Sequence, residues 1–283
     1  MSTKLPSVLV TNADDLSMYL DGPRSANRPA ILLSASVPYR RQATKDMTAD
    51  ELAELEWRNE HYTASARPLQ IRSAVMELTK AALMHNAQLI FGAHPAISPM
   101  VLDAARNIGA PPESILIFQS QFFEKEIPGS TLDLADWTAG RLFFTPEQYA
   151  ERSRDARNKS LTVMRTIMVS PSNLRGAVFI GGMEGVEEEA QLFKSRPDDL
   201  PCYAVASTGS AAADLFSGKS KLAPGGKAQF AGRLGEPDPL AAGAAGRPVD
   251  PGFLESGTSY SLLAREILKD MGITDLSRDE RRS

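Results

Sequence analysis

The sequence feature that most constrains the fold is an unbroken apolar run, Ala177, Val178, Phe179 and Ile180, that stops abruptly at Gly181 and Gly182. An apolar run without polar alternation suits a strand buried on both faces, as in a parallel sheet. Gly181, Gly182 and Gly185 allow a tight turn and let backbone amides approach a ligand closely. A helix starting near Gly185 would direct its free N–H groups into the same space. Met183 and Glu184 sit inside this turn and are candidate ligand neighbours with the glycines. Glu184, Glu187, Glu188 and Glu189 crowd the first helical turn. Acids there complement the helix dipole; alternatively, one of them accepts ribose hydroxyls or takes part in acid–base chemistry.

The same strand–turn–helix unit recurs. Residues 29–33 read as a first strand running into Ser34, Ala35, Ser36, Val37 and Pro38. Ser34 and Ser36 are candidate ligand contacts, because small hydroxylated residues after a parallel strand let ligand atoms approach and offer donors. Tyr39, Arg40 and Arg41 follow, and a basic side chain there, Arg40 foremost, reaches an anion. A second unit runs from residues 88–91 into Gly92, Ala93, His94 and Pro95, with Ser98 as the cap of the next helix. A third ends in Thr208 and Gly209 before an alanine-rich helix. Residues 48–60 carry a capping-box pattern, Thr48 with Glu51. Residues 68–86 and 258–270 show helical periodicity. Residues 119–140 read as a long loop, and 146–157 and 160–169 as separate helices. Alternating strands and helices predict an α/β, Rossmann-like, doubly wound parallel sheet with helices on both faces. Its ligand would sit at the carboxyl ends of the strands, where the loops 34–38, 92–98, 181–188 and 207–211 meet.

Composition bounds the partners. With 31 basic against 35 acidic residues, no strong pull toward nucleic acid is expected. No run of 18 apolar residues argues for a membrane span, and the N-terminus lacks a signal-peptide pattern. Cys202 is the single cysteine, so no internal disulfide forms, which fits a reducing cytoplasm. His94 has no second His or Cys nearby, so no metal site is expected; no cofactor is expected either. The expected partner is a small molecule, and homo-oligomerisation stays open. Residues 218–252 hold 8 Gly and 5 Pro in 35 positions and read as a linker or insertion. The expected division is a 1–28 extension, a 29–217 domain, the 218–252 linker, and a 253–283 helix with a charged tail.

The segments LLSASVP, LIFGAHPAISPMVL, VFIGGMEGVEEE and AVASTGSAAADL, in this order, resemble the SLOG superfamily, the Rossmann-like group of the LONELY GUY phosphoribohydrolases and of nucleotide-sensor modules in bacterial defence systems. The resemblance spans about residues 29–216. It implies a nucleotide or nucleotide-derived ligand. The superfamily's hydrolases carry PGGxGTxxE with an Arg on the preceding helix. Gly181 and Gly182 match the paired glycines, Glu188 is the nearest match to the final Glu, and Arg165 stands where the Arg belongs. These two are therefore the candidate catalytic residues of an N-glycosidic hydrolase. Ile180 replaces the Pro, an extra residue precedes Gly185, and Val186 replaces the Thr. All three departures fall on the motif's phosphate side, so nucleotide sensing is the favoured function. Phosphoribohydrolase activity and a non-catalytic interaction scaffold are the alternatives.

Overall fold

The computed structural model describes residues 7–20, 28–45, 47–137, 140–149, 153–232, 252–256 and 259–273. These residues build one sheet of seven strands: β1 (Ser7–Leu9), β2 (Ala30–Ser36), β3 (Gln88–Gly92), β4 (Ile115–Ser120), β5 (Gly140–Thr145), β6 (Leu174–Gly181) and β7 (Cys202–Val205). Their spatial order is β1-β5-β4-β3-β2-β6-β7. Every pairing is parallel. The six strands from β2 to β7 are apolar over most of their length and almost entirely buried, as strands covered on both faces must be.

The helices are α1 (Ala13–Leu20), α2 (Ala49–Ser65), α3 (Pro68–Met84), α4 (Ser98–Ile108), α5 (Gly129–Asp136), α6 (Arg154–Met168), α7 (Glu184–Lys194), α8 (Ser210–Ser217), α9 (Lys227–Phe230), α10 (Phe253–Ser256) and α11 (Tyr260–Asp270). Right-handed crossovers that run one way from β2 and the other way from β6 put α3 and α4 on one face and α6 and α7 on the other. α11 packs on α3, and α8 on α7. This is the doubly wound, Rossmann-like arrangement expected. The chain leaves β2 for β3 and returns to β2's other side as β6, so the strand order reverses there and a crevice opens at the carboxyl ends.

Local chemistry explains the helix ends. Thr48 caps α2 in a complete capping box with Glu51. Gly109 ends α4 in the left-handed region at φ 62°. Ser98 is not the cap expected of it: it is the first helical residue, and its buried hydroxyl pairs with Thr131 Oγ1 at 2.8 Å. The stretch read as a long loop contains a 3₁₀ segment (Gln121–Glu126) and α5. The two helices expected across 146–169 are one, α6, starting at Arg154 and capped by Ser153; residues 146–149 are not helical.

Within the expected 1–28 extension, β1 pairs with β5 and α1 buries Leu16 and Leu20. Within the Gly/Pro-rich segment, α9 buries Phe230 edge-on to Phe179 at 5.9 Å, and Ala231 bridges to Tyr203. Residues 233–251 of that segment and the tail from 274 lie outside the described residues. Among the described residues no helix is long and apolar enough to cross a membrane.

The turn before α8 is clamped by the α2–α3 junction. Arg67 N–H donates to Thr208 O at 3.2 Å, and Ser210 N–H to Ser65 Oγ at 3.0 Å. Gly209 has φ +76°, and a Cβ there would stand 1.8 Å from Ser65 O. Gly209→Ala is therefore expected to cost at least about 2 kcal/mol. Urea unfolding monitored by circular dichroism checks this; an unchanged midpoint would show that the junction yields without cost.

Candidate functional site

A cavity of about 590 Å³ opens above the carboxyl ends of β2, β3, β4 and β6, at the reversal of strand order. Its volume falls in the range of small-molecule sites. The loop after β2 supplies Ser36, Val37, Tyr39 and Arg41; the turn after β3 supplies Gly92, His94 and Pro95. Gln119, Phe123 and Glu126 come from β4 and the 3₁₀ segment, and Arg157, Leu161, Met164 and Arg165 from α6. Met183, Glu184, Gly185, Val186 and Glu189 come from the start of α7.

The glycine turn is built as the strand–turn–helix pattern requires, with α7 beginning at Glu184. Gly181 and Gly182 have φ +58° and +90°, a region that favours glycine. Their amides, however, are spent inside the protein: Gly181 N–H on Thr208 Oγ1 at 2.8 Å and Gly182 N–H on Ser36 O at 2.9 Å. These two glycines shape the turn and do not line the cavity. Gly185 does line it, and a Cβ there would lie 2.6 Å from the Arg165 guanidinium. Glycine at this position is what lets Arg165 press against the helix start.

Arg165 is the hinge of the local electrostatics. Its side chain is 14% exposed and forms ion pairs with Glu188, which Thr162 Oγ1 also reaches at 2.6 Å, and with Glu189 at 3.3 Å. Glu188 faces this network and is absent from the cavity wall; Glu189 is the carboxylate that lines it. The extra residue before Gly185 accounts for the difference. Counted from the paired glycines the motif ends at Glu188, but counted from Gly185 it ends at Glu189. Burial pushes the Glu189 carboxyl up, while Arg165 and Ser34 pull it back. Ser34 Oγ is buried close to this carboxyl without a fully formed hydrogen bond, so it sits beneath the cavity and not in its wall.

Other acids of the α7 start are likewise engaged. Glu184 contacts Arg58 of α2 at 2.7 Å, a charge contact without good hydrogen-bond geometry. Glu187 is buried, accepts from Tyr62 Oη at 3.2 Å, and is pushed up by burial. By contrast, Arg41 and Arg157 have no carboxylate partner among the described residues. Arg157 lies over the Phe123 ring, and Arg41 over Tyr39. Burial, and then the charge of Arg41, pull the Arg157 pKa down.

Of the expected site residues, Ser36, Gly92, His94, Pro95, Arg165, Met183, Glu184 and Gly185 meet at the cavity. Arg40 is exposed and outside it; its neighbour Arg41 takes the place. Thr208 and Gly209 are covered by residues 65–67 and support the turn from below. Arg157 was missed, although Arg157, Leu161, Met164 and Arg165 form one stripe at helical spacing. Reading α6 as two helices broke that stripe. Among the described residues no cluster of three or more His, Cys, Asp or Glu could hold a metal ion.

Fold and cavity together define a Rossmann-like domain with a cavity of small-molecule size at its topological switch point. The family model for the SLOG cluster3 family matches residues 61–230, and the chain belongs to that family. No curated protein and no solved structure matches it. The matched span contains Arg157, Arg165 and Glu189; Tyr39 and Arg41 precede it.

His94 is half-buried in the cavity wall, its Nδ1 accepts from Ala96 N–H at 3.2 Å, and desolvation lowers its pKa to about 4. It is thus neutral at pH 7 and carries its proton on Nε2. Between its ordinary value of 6.5 and about 4 the unfolded chain binds more protons at this residue than the fold does. Stability contributed by neutral His94 is complete above pH 6.5 and is lost as pH falls through that window. Denaturant unfolding at several pH values should show wild type losing more stability than His94→Gln between pH 6.5 and 4. Parallel slopes would mean His94 is not held neutral.

Proposed function

We propose that this protein binds a nucleotide or nucleotide-derived molecule in the switch-point cavity and acts as a cytoplasmic sensor of it, in the manner of the nucleotide-sensing modules of bacterial defence systems. The observation that carries the reading is the charge pattern of the wall. Two guanidiniums without carboxylate partners among the described residues, Arg41 and Arg157, share a cavity with a largely covered carboxylate, Glu189, and with the rings of Tyr39 and Phe123. Guanidiniums suit phosphate, and a carboxylate suits ribose hydroxyls.

Sensing is favoured over hydrolysis because Glu189 is tied to Arg165. Splitting an N-glycosidic bond develops positive charge on the ribose, and a carboxylate already neutralised by a guanidinium stabilises that charge less. The hydrolase reading keeps one observation in its favour: Glu189 is a largely covered carboxylate in the cavity wall.

Titration with AMP and with ADP-ribose tests the proposal. Binding to the folded state alone at about 100 times Kd adds about 2.7 kcal/mol, a rise of roughly 5–10 °C in Tm for a chain of this size. Neither compound should release free base over hours. Absence of any shift with either compound and related nucleotides would refute the nucleotide reading. Steady base release that falls by about a hundredfold or more in Glu189→Gln would make the protein a hydrolase.

A further inference from the structure

We infer that the anionic end of the ligand is held by Arg41 and Arg157, from the loop after β2 and the start of α6, and not by the N-terminus of α7. This rests on the nucleotide-binding reading of the same cavity and fixes the ligand's orientation within it. A helix that starts at a glycine turn ordinarily offers its amides to a phosphate. Here that end is crowded by carboxylates. The amides of Gly181, Gly182 and Val186 are spent on Thr208 Oγ1, Ser36 O and Met183 O, which leaves those of Glu184 and Gly185 in a turn dominated by acids. Glu184 and Glu189 stand on the cavity side of the same turn, with Glu187 and Glu188 beside them. Glu184, Glu188 and Glu189 share two guanidiniums there, those of Arg58 and Arg165, and Glu187 pairs with neither, so the turn repels a phosphate.

The wall built by the loop after β2 and the start of α6 has the reverse balance. Arg41 follows β2 and Arg157 lies in the first turn of α6; both line the cavity, and neither has an ion pair among the described residues. Glu126 also lines the cavity but already has a contact of its own. One carboxylate against two guanidiniums leaves this wall positive. The pair is also pre-positioned. Asn59 of α2 clamps the Arg41 backbone by accepting from its N–H and donating to its O, both at 2.9 Å. Arg157 is fixed over the Phe123 ring. Two like charges held side by side are relieved by a bridging anion. The ligand then lies with phosphate or diphosphate toward Arg41 and Arg157 and its sugar toward Glu189.

Calorimetric titration of the full chain with pyrophosphate and with ADP-ribose tests this. The variants are Arg41→Met, Arg157→Met and the milder Arg157→Lys. Arg265→Met, at an exposed position on α11, is the charge-matched control. Loss of affinity for either probe by about tenfold or more in Arg41→Met and Arg157→Met, a smaller loss in Arg157→Lys, and none in Arg265→Met is the expected result. Should Arg157→Met fail to fold, Arg41→Met and Arg157→Lys decide. Wild-type affinity for ADP-ribose in all these variants overturns the inference and leaves the nucleotide reading standing. Pyrophosphate binding that depends on both arginines, with no binding of ADP-ribose or AMP, upholds the anion site and removes the nucleotide. Binding of none of these probes overturns both.

Discussion

The site depends on the pairing of β2 with β6. These two strands run side by side to their carboxyl ends, where Ser36 faces Gly181 in register and Gly182 N–H adds one further bond to Ser36 O. That last bond ties the two loops together at the point where the strand order reverses. β2 therefore delivers Tyr39 and Arg41 to one side of the crevice, and β6 delivers the α7 start to the other. Parallel strands buried on both faces hold this geometry rigidly, because neither strand can slip without moving its apolar set out of register.

The charges in the cavity are sorted by wall. Glu188 and Glu189 are satisfied by Arg165, which reaches them because Gly185 has no side chain. Glu184 is charge-paired with Arg58 from α2, a helix that also packs against α8 and places the Arg41 loop through Asn59. α2 is a polar helix whose one buried side chain is Tyr62. Its contribution to the molecule is to position charges more than to fill the core.

The sheet was legible because parallel strands write themselves as apolar runs: 88–91, 115–118 and 177–180 each became a strand. β1 was ambiguous because it is three residues at the sheet edge, and its partner β5 lies more than a hundred residues away. Glycine and proline density hid α9, whose Phe230 is completely buried. The cavity wall was legible in part of its turns: Ser36, Gly92, His94, Pro95 and the residues 183–185 line it, whereas Gly181, Gly182, Thr208 and Gly209 do not. Arg157 was not, since an arginine in a charged stretch reads as solvated until its helix is known to continue to Arg165. Arg40 and Arg41 are equivalent to a sequence reader; only the direction of the chain after Pro38 separates them. Glu188 and Glu189 differ by where the count begins, and the structure places the cavity carboxylate at the position counted from Gly185.

The central claim is that one cavity, at the switch point between β2 and β6, takes the ligand with its phosphate on the arginine wall. A crystal structure of the full chain with ADP-ribose measures this directly. The account predicts phosphate oxygens within hydrogen-bond distance of Arg41 and Arg157, and the sugar beside Glu189. Phosphates seated on the amides at the start of α7, or a ligand bound outside this cavity, would contradict it.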